Sequence, residues 1–167
     1  MKIKFLIKII IVFFIFVSSN LKAETIFFDS KNIKIEEEGN MIFATKGIAK
    51  IPSKNLIIEG EKFIYDKIKL ELIIFDDVKY IDSENNIIIK SQKMIYNESE
   101  NTIFSKNKTF IQLENNYDIF SSDVLLNRNL KTIVSEQFTE AVDNTQNKFV
   151  FREGLIFDTI KEIIYAK

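Results

Sequence analysis

The chain has 167 residues, of which 46% are hydrophobic and 28% charged, with a formal net charge of −1. It holds no Cys and no His, which excludes disulfides, Cys/His zinc sites, Ser-His-Asp or Cys-His catalysis and a histidine pH switch. Its four glycines (Gly39, Gly47, Gly60 and Gly154) form no glycine-rich phosphate loop, and its size predicts a single domain.

In chain order, residues 1–23 read as a secretory signal peptide, with the domain at 24–167. Lys2, Lys4 and Lys8 supply a positive start, Ile9 to Val17 is an unbroken apolar run, and Leu21-Lys22-Ala23 offers a cleavage site before Glu24. The run is too short for a spanning helix, which needs roughly 20 apolar residues. Those 23 residues hold four of the 23 basic side chains and none of the 24 acidic ones, so the remainder carries −5. No basic stripe survives, which predicts no nucleic-acid partner.

The exported part repeats at 30 to 31 residues. The apolar pairs Ile64-Tyr65, Ile95-Tyr96, Leu125-Leu126 and Ile156-Phe157 are each followed by Asp66, Asn97, Asn127 or Asp158. Six residues after each Asx stands a second pair: Leu72-Ile73, Ile103-Phe104, Ile133-Val134 and Ile164-Tyr165. A third landmark runs Ile57-Ile58, Ile88-Ile89, Ile119-Phe120 and Val150-Phe151. A weaker first copy starts at Asp29, with Ile33 and Met41-Ile42 in register.

Each unit reads as four short strands with an Asx turn after the first, because Asp and Asn bond nearby backbone and tolerate positive φ. Ile68, Leu70, Leu72 and Ile74 alternate with Lys67, Lys69 and Glu71, and Thr109, Ile111 and Leu113 alternate with Gln112 and Glu114. Glu36 to Asn40 reads as a solvated acidic hairpin tip, and Pro52 sits in a polar loop where its missing donor costs nothing. The spacing of short strands rich in Ile, Phe, Tyr and Val predicts an all-β domain.

The repeated segments Glu61-Lys-Phe-Ile-Tyr65-Asp66, Gln92-Lys-Met-Ile-Tyr96-Asn97 and Ser122-Asp-Val-Leu-Leu126-Asn127 resemble the OstA-like repeat. That is the periplasmic β-jelly-roll module of lipopolysaccharide transport, found in LptA bridge proteins and the N-terminal part of LptD assembly proteins. The resemblance covers nearly all of 25–167. It implies a twisted, open-ended antiparallel β-jelly roll with a hydrophobic groove. It also implies a non-enzymatic, cofactor-free carrier of lipopolysaccharide acyl chains across the periplasm toward the outer membrane. Its implied partners are lipopolysaccharide, other jelly-roll modules joined by edge-strand addition, and the outer-membrane assembly complex. The large barrel expected after this module in LptD is missing, and the chain stops at Lys167, halfway through a fifth unit.

Alternation places Phe63, Tyr65, Met94, Tyr96, Val124, Leu126, Leu155 and Phe157 on one face, as a ladder that lines the groove or packs as ordinary core. Ile64, Ile95, Leu125 and Ile156 point the other way. Lys62, Lys93, Lys106 and Lys108 are lysines available to lipid phosphates, and nothing in the sequence separates them from solvated surface. The first strand (Ile26 to Phe28) and the last unit (Leu155 to Tyr165) are the expected docking edges.

Catalytic readings are weak. Asp76 and Asp77 are adjacent, so in a strand they face apart, and Ser91 with Lys93 is a spacing common by chance. Asp82 to Asn86 resembles a calcium loop but has Ile87 where the turn needs Gly. The competing functional reading is an exported structural or adhesive β-repeat protein without lipid cargo, whose core is closed and dry.

Overall fold

The computed structural model describes residues 25–114 and 117–167; the predicted signal peptide at 1–23 lies outside the described residues. Among the described residues there are twelve strands: β1 (Phe27–Glu36), β2 (Met41–Ile51), β3 (Leu56–Asp66), β4 (Glu71–Asp82), β5 (Ile87–Asn97), β6 (Thr102–Leu113), β7 (Tyr117–Asn127), β8 (Thr132–Ser135), β9 (Thr139–Asp143), β10 (Lys148–Phe151), β11 (Leu155–Asp158) and β12 (Ile163–Ala166). All belong to one antiparallel sheet, in the order β1 through β8, then β11 and β12. The other edge of β7 is shared: Tyr117 to Phe120 pair with β9, and Leu125 to Asn127 pair with β8. Since β9 pairs β10 and β8 pairs β11, β8–β9 and β10–β11 are each one long strand interrupted in the middle.

The repeating unit is therefore a hairpin of two long strands, rather than four short ones. β3, β5, β7 and β10 begin at Leu56, Ile87, Tyr117 and Lys148, which reproduces the 30-to-31-residue period. The Asx turns fall where expected. The Asp66 carboxylate accepts the Ile68 and Lys69 amides at 3.0 Å each, Asn127 accepts those of Asn129 and Leu130, and Asp158 those of Ile160 and Lys161. The Lys69 amide holds the Asp66 carboxyl below its ordinary value, and the Lys161 amide does the same for Asp158. With the Asn97 turn, whose side chain accepts the Glu100 amide at 2.9 Å, these turns close on left-handed residues: Leu70, Asn101, Lys131 and Glu162. Residues 67–70 are accordingly turn, not strand, and Ile68 is exposed. The predicted alternation from Ile68 to Ile74 holds only from Glu71 onward.

The long strands bend at their midpoints. β2 turns at Lys46, β4 at Asp76 and Asp77, β6 at Asn107 and β7 at Asp123, all with positive φ. The register slips between Glu59 and Lys62, Phe75 and Val78, Ser91 and Lys93, and Ser105 and Lys108. Such bulges bend a strand and leave local backbone groups unpaired. Buried hydroxyls take them up: Ser91 Oγ donates to the Lys93 and Lys106 carbonyls at 3.0 and 3.1 Å. Further along, Ser105 meets Thr109 at 2.8 Å, and Ser121 meets Ser135 at 2.7 Å and Thr139 at 2.6 Å.

Bending folds the sheet over on itself and makes a two-layered roll. Phe28, on the first half of β1, packs edge-on against Phe63 of the second half of β3, with ring centroids 6.0 Å apart. Tyr117 and Phe157 meet the same way at 6.1 Å. The result is an all-β, open-ended antiparallel jelly roll, as expected.

Candidate functional site

The pairing register builds the interior as ladders. Tyr65, Leu72, Tyr96, Ile103, Leu126, Ile133 and Phe157 are successive cross-strand partners from β3 to β11. Phe63, Ile74, Met94, Ser105 and Val124 form a second rung line beside them. Leu155 stands opposite Ser135. All eight side chains singled out from the sequence are buried.

The second layer is Ile58, Tyr80, Ile89, Ile111, Ile119, Ala141 and Phe149, again partner to partner. Here the third sequence landmark slips by one. Ile119 faces inward like Ile58 and Ile89, and its counterpart is Phe149 rather than Val150. In β3, β5 and β7 the inward set changes parity at the bend, from Ile58 to Phe63, Ile89 to Met94 and Ile119 to Val124.

The side chains between the two layers are almost fully buried, and a surface cavity of about 760 Å³ lies elsewhere, along the bends near Phe110, Phe120 and Phe138. The apolar interior reaches solvent at the two ends of the roll. Ile33 and Ile35 pair with Ala44 and Ile42 and so face inward, yet they are 49% and 61% exposed. Phe149, opposite Ala141, is 42% exposed. Among the described residues, the outer edges of β1, β10 and β12 have no strand partner.

Where the two ends of the long strands meet, a polar seam runs beside the core. Arg128 Nε donates to Asp82 Oδ2 at 2.7 Å, with both side chains buried. Arg128 Nη2 also reaches the Lys54 carbonyl at 3.1 Å and Glu84 Oε2 at 3.0 Å. Lys54 Nζ donates to the Tyr96 hydroxyl at 2.9 Å and to Asn101 Oδ1 at 2.8 Å. Lys131 Nζ reaches Asn85 Oδ1 at 2.9 Å. Tyr80 donates to Asp82 at 3.2 Å, and Tyr65 to the buried Glu98 at 2.8 Å.

Burial opposes the ionisation of Asp82, but hydrogen bonds from Arg128 and Asn85 and the Arg128 charge outweigh it and hold the carboxyl below its ordinary value. The same carboxylate is thus committed to Arg128, which removes the calcium-loop reading of Asp82 to Asn86.

None of the four lysines considered from sequence lies on this seam. Lys62 pairs with Asp76 at 3.0 Å, Lys93 sits over the Phe75 ring at 4.9 Å, and Lys106 and Lys108 are exposed at the β6 bend. Lys93 is on the outer face and Ser91 on the inner one, so they form no dyad. Arg128 gave one sequence signal: it is one of two Arg in a chain with 23 basic residues, and Arg is the side chain suited to a buried, forked ion pair.

No family model matches the sequence, and no curated relative does. Solved structures do. LptH from Pseudomonas aeruginosa, described as the LptA homologous periplasmic component of the conserved lipopolysaccharide transport device, superposes with a TM-score of 0.51. The match is 10% identical and covers 86% of this chain and 82% of that one. The likeness is one of fold.

Proposed function

With an LptA-like β-jelly roll as its fold, we propose that this chain is an exported, periplasmic lipopolysaccharide-transport module that works by binding and hand-off. The observation that carries the reading is the continuous apolar interior, walled by two layers and open to solvent at Ile33 and Ile35 on one side and Phe149 on the other. Acyl chains gain about 0.8 kcal/mol per buried CH₂, and such an interior supplies that without catalytic groups. Phe63, Tyr65, Met94, Tyr96, Val124, Leu126, Leu155 and Phe157 are the proposed lining. Because these side chains now fill the space between the layers, cargo enters only if the layers part, and the bend line is the natural hinge. The unpaired edges of β1, β10 and β12 suit strand addition to neighbouring modules and to the outer-membrane assembly complex.

The closed centre is the observation on the side of the second reading, an exported structural or adhesive β-repeat protein without cargo. Site-specific photo-crosslinking to lipopolysaccharide separates the two. Probes at Ile33, Tyr96 and Phe149 are expected to capture lipid, and a control at Glu38 on the outer hairpin tip is not. A folded protein that crosslinks at none of the inward positions overturns the carrier reading.

A further inference from the structure

The seam holds an exposed carboxylate in the place where an external anion would sit. Glu84 is 52% exposed, and its two oxygens reach two different cations, Oε2 to Arg128 Nη2 at 3.0 Å and Oε1 to Lys131 Nζ at 4.0 Å. Asp82 is the buried, permanent partner of Arg128, bound through both Nε and Nη2, and Glu98 is buried and engaged by Tyr65. Glu84 is thus the replaceable acid of the three. Arg128 and Lys54 converge from separate turns on Asn101 Oδ1, at 3.4 and 2.8 Å. Three cations from two turns, Lys54 before β3 and Arg128 and Lys131 between β7 and β8, therefore line this seam. Directly beneath lie Tyr80 and Tyr96, whose hydroxyls touch Asp82 and Lys54 and whose rings belong to the apolar interior. A cationic rim set against an apolar interior is the two-part environment an anionic amphiphile requires, and the Arg128 Nη2 and Lys131 Nζ groups that face Glu84 can make charge-assisted hydrogen bonds to phosphate oxygens.

The geometry points to a headgroup site at this seam: a phosphate of an acylated amphiphile replaces the Glu84 carboxylate on Arg128 and Lys131, with its chains directed past Tyr80 and Tyr96. This rests on the lipid-carrier reading above and adds to it the groups that hold the head.

The test uses Glu84→Gln and Lys131→Gln, both at the solvent side, with Glu38→Gln as a remote charge control. Displacement of a fluorescent fatty acid measures binding of lipid A and of the same lipid stripped of its phosphates. Lys131→Gln is expected to weaken phosphorylated lipid about three- to fivefold, the range of one exposed charge pair. Glu84→Gln is expected to tighten it by a similar factor. Neither variant should change binding of the stripped lipid, and Glu38→Gln should change nothing. If wild type and variants bind both lipids equally, the headgroup site is overturned while the carrier reading stands. If the folded chain binds neither lipid, both fall. If millimolar inorganic phosphate alone stabilises the wild type and Lys131→Gln abolishes that effect while lipid binding is unaltered, the site belongs to free phosphate and the lipid assignment is overturned.

Discussion

Arg128, one residue beyond β7, donates a 2.7 Å hydrogen bond to Asp82 at the far end of β4, and both side chains are buried. In a flat sheet these positions lie at opposite ends of strands of 12 and 11 residues, roughly 35 Å apart. The contact exists only because the strands bend, so it reports directly on closure of the roll. Breaking one side of a buried pair strands a charge, which costs about 3–5 kcal/mol. Arg128→Met should lower stability by that order, whereas Arg128→Met with Asp82→Leu should recover most of it. Urea denaturation of the three proteins checks this; equal loss in single and double variants would contradict the stranded-charge account.

The same pair sets an acid limit on stability. The folded-state value of Asp82 lies below the ordinary 3.8. Its contribution is therefore fully present above the unfolded value and is lost as pH falls through the lowered folded one. Stability should decline below about pH 4, and Asp82→Asn, although less stable at pH 7, should decline less steeply. Denaturation midpoints from pH 2.5 to 7 measure it; parallel curves would count against the pair as the cause.

Leu125 and Leu126 are adjacent and chemically identical, yet 38% and 1% exposed. Leu126→Ala should cost about 2–5 kcal/mol, as a fully buried leucine does. Leu125→Ala should cost under about 1 kcal/mol. The comparison tests the face assignment with residue type and chain position held constant. The reverse order would mean the register is off by one.

Gly154 has φ +95, and a Cβ there would collide with the Ser135 carbonyl. It marks the break between β10 and β11 where β11 pairs back to β8. Gly154→Ala should destabilise the protein by at least about 2 kcal/mol, because left-handed strain and a backbone clash add. Hydrogen exchange should show the loss concentrated in β10 to β12. Uniform loss across the sheet would argue that the break is not local.

If the free edges join modules, the chain at high concentration should self-associate, with Ile33 and Ile35 at one end and Phe149 at the other. Ile35→Lys should abolish association without lowering stability, since the side chain is already 61% exposed. Sedimentation equilibrium gives the answer, and a wild type that stays monomeric at millimolar concentration removes edge pairing as the docking mode.

The turns and one face of the interior were legible in the sequence because both are local. Asp66, Asn127 and Asp158 each bond amides two and three residues on, and Tyr65, Tyr96, Leu126 and Phe157 keep a constant offset before an Asx. The bends were not legible, because Lys46, Asp76, Asp77, Asn107 and Asp123 take positive φ without being glycine. Each bend resets the alternation, which is why long strands read as pairs of short ones; the landmark at Ile119 drifted by one residue because β7 begins 30 rather than 31 residues after β5. Residues 67–70 misled because Ile68 and Leu70 keep a strand's alternation while Asp66 folds them into a turn. The seam was invisible for a different reason. Arg128 and Asp82 are 46 residues apart in sequence and become neighbours only after the sheet has bent.

Because successive strands pair mainly with their sequence neighbours, the gauge and the length of the interior are set separately. The position of the bend within each strand sets the cross-section. The number of strands sets the axial reach, at about 4.8 Å per strand. Inserting one more 31-residue hairpin between existing ones would lengthen the interior by roughly 10 Å and leave its bore unchanged. A chain built this way can be tuned to span a given gap by duplication alone.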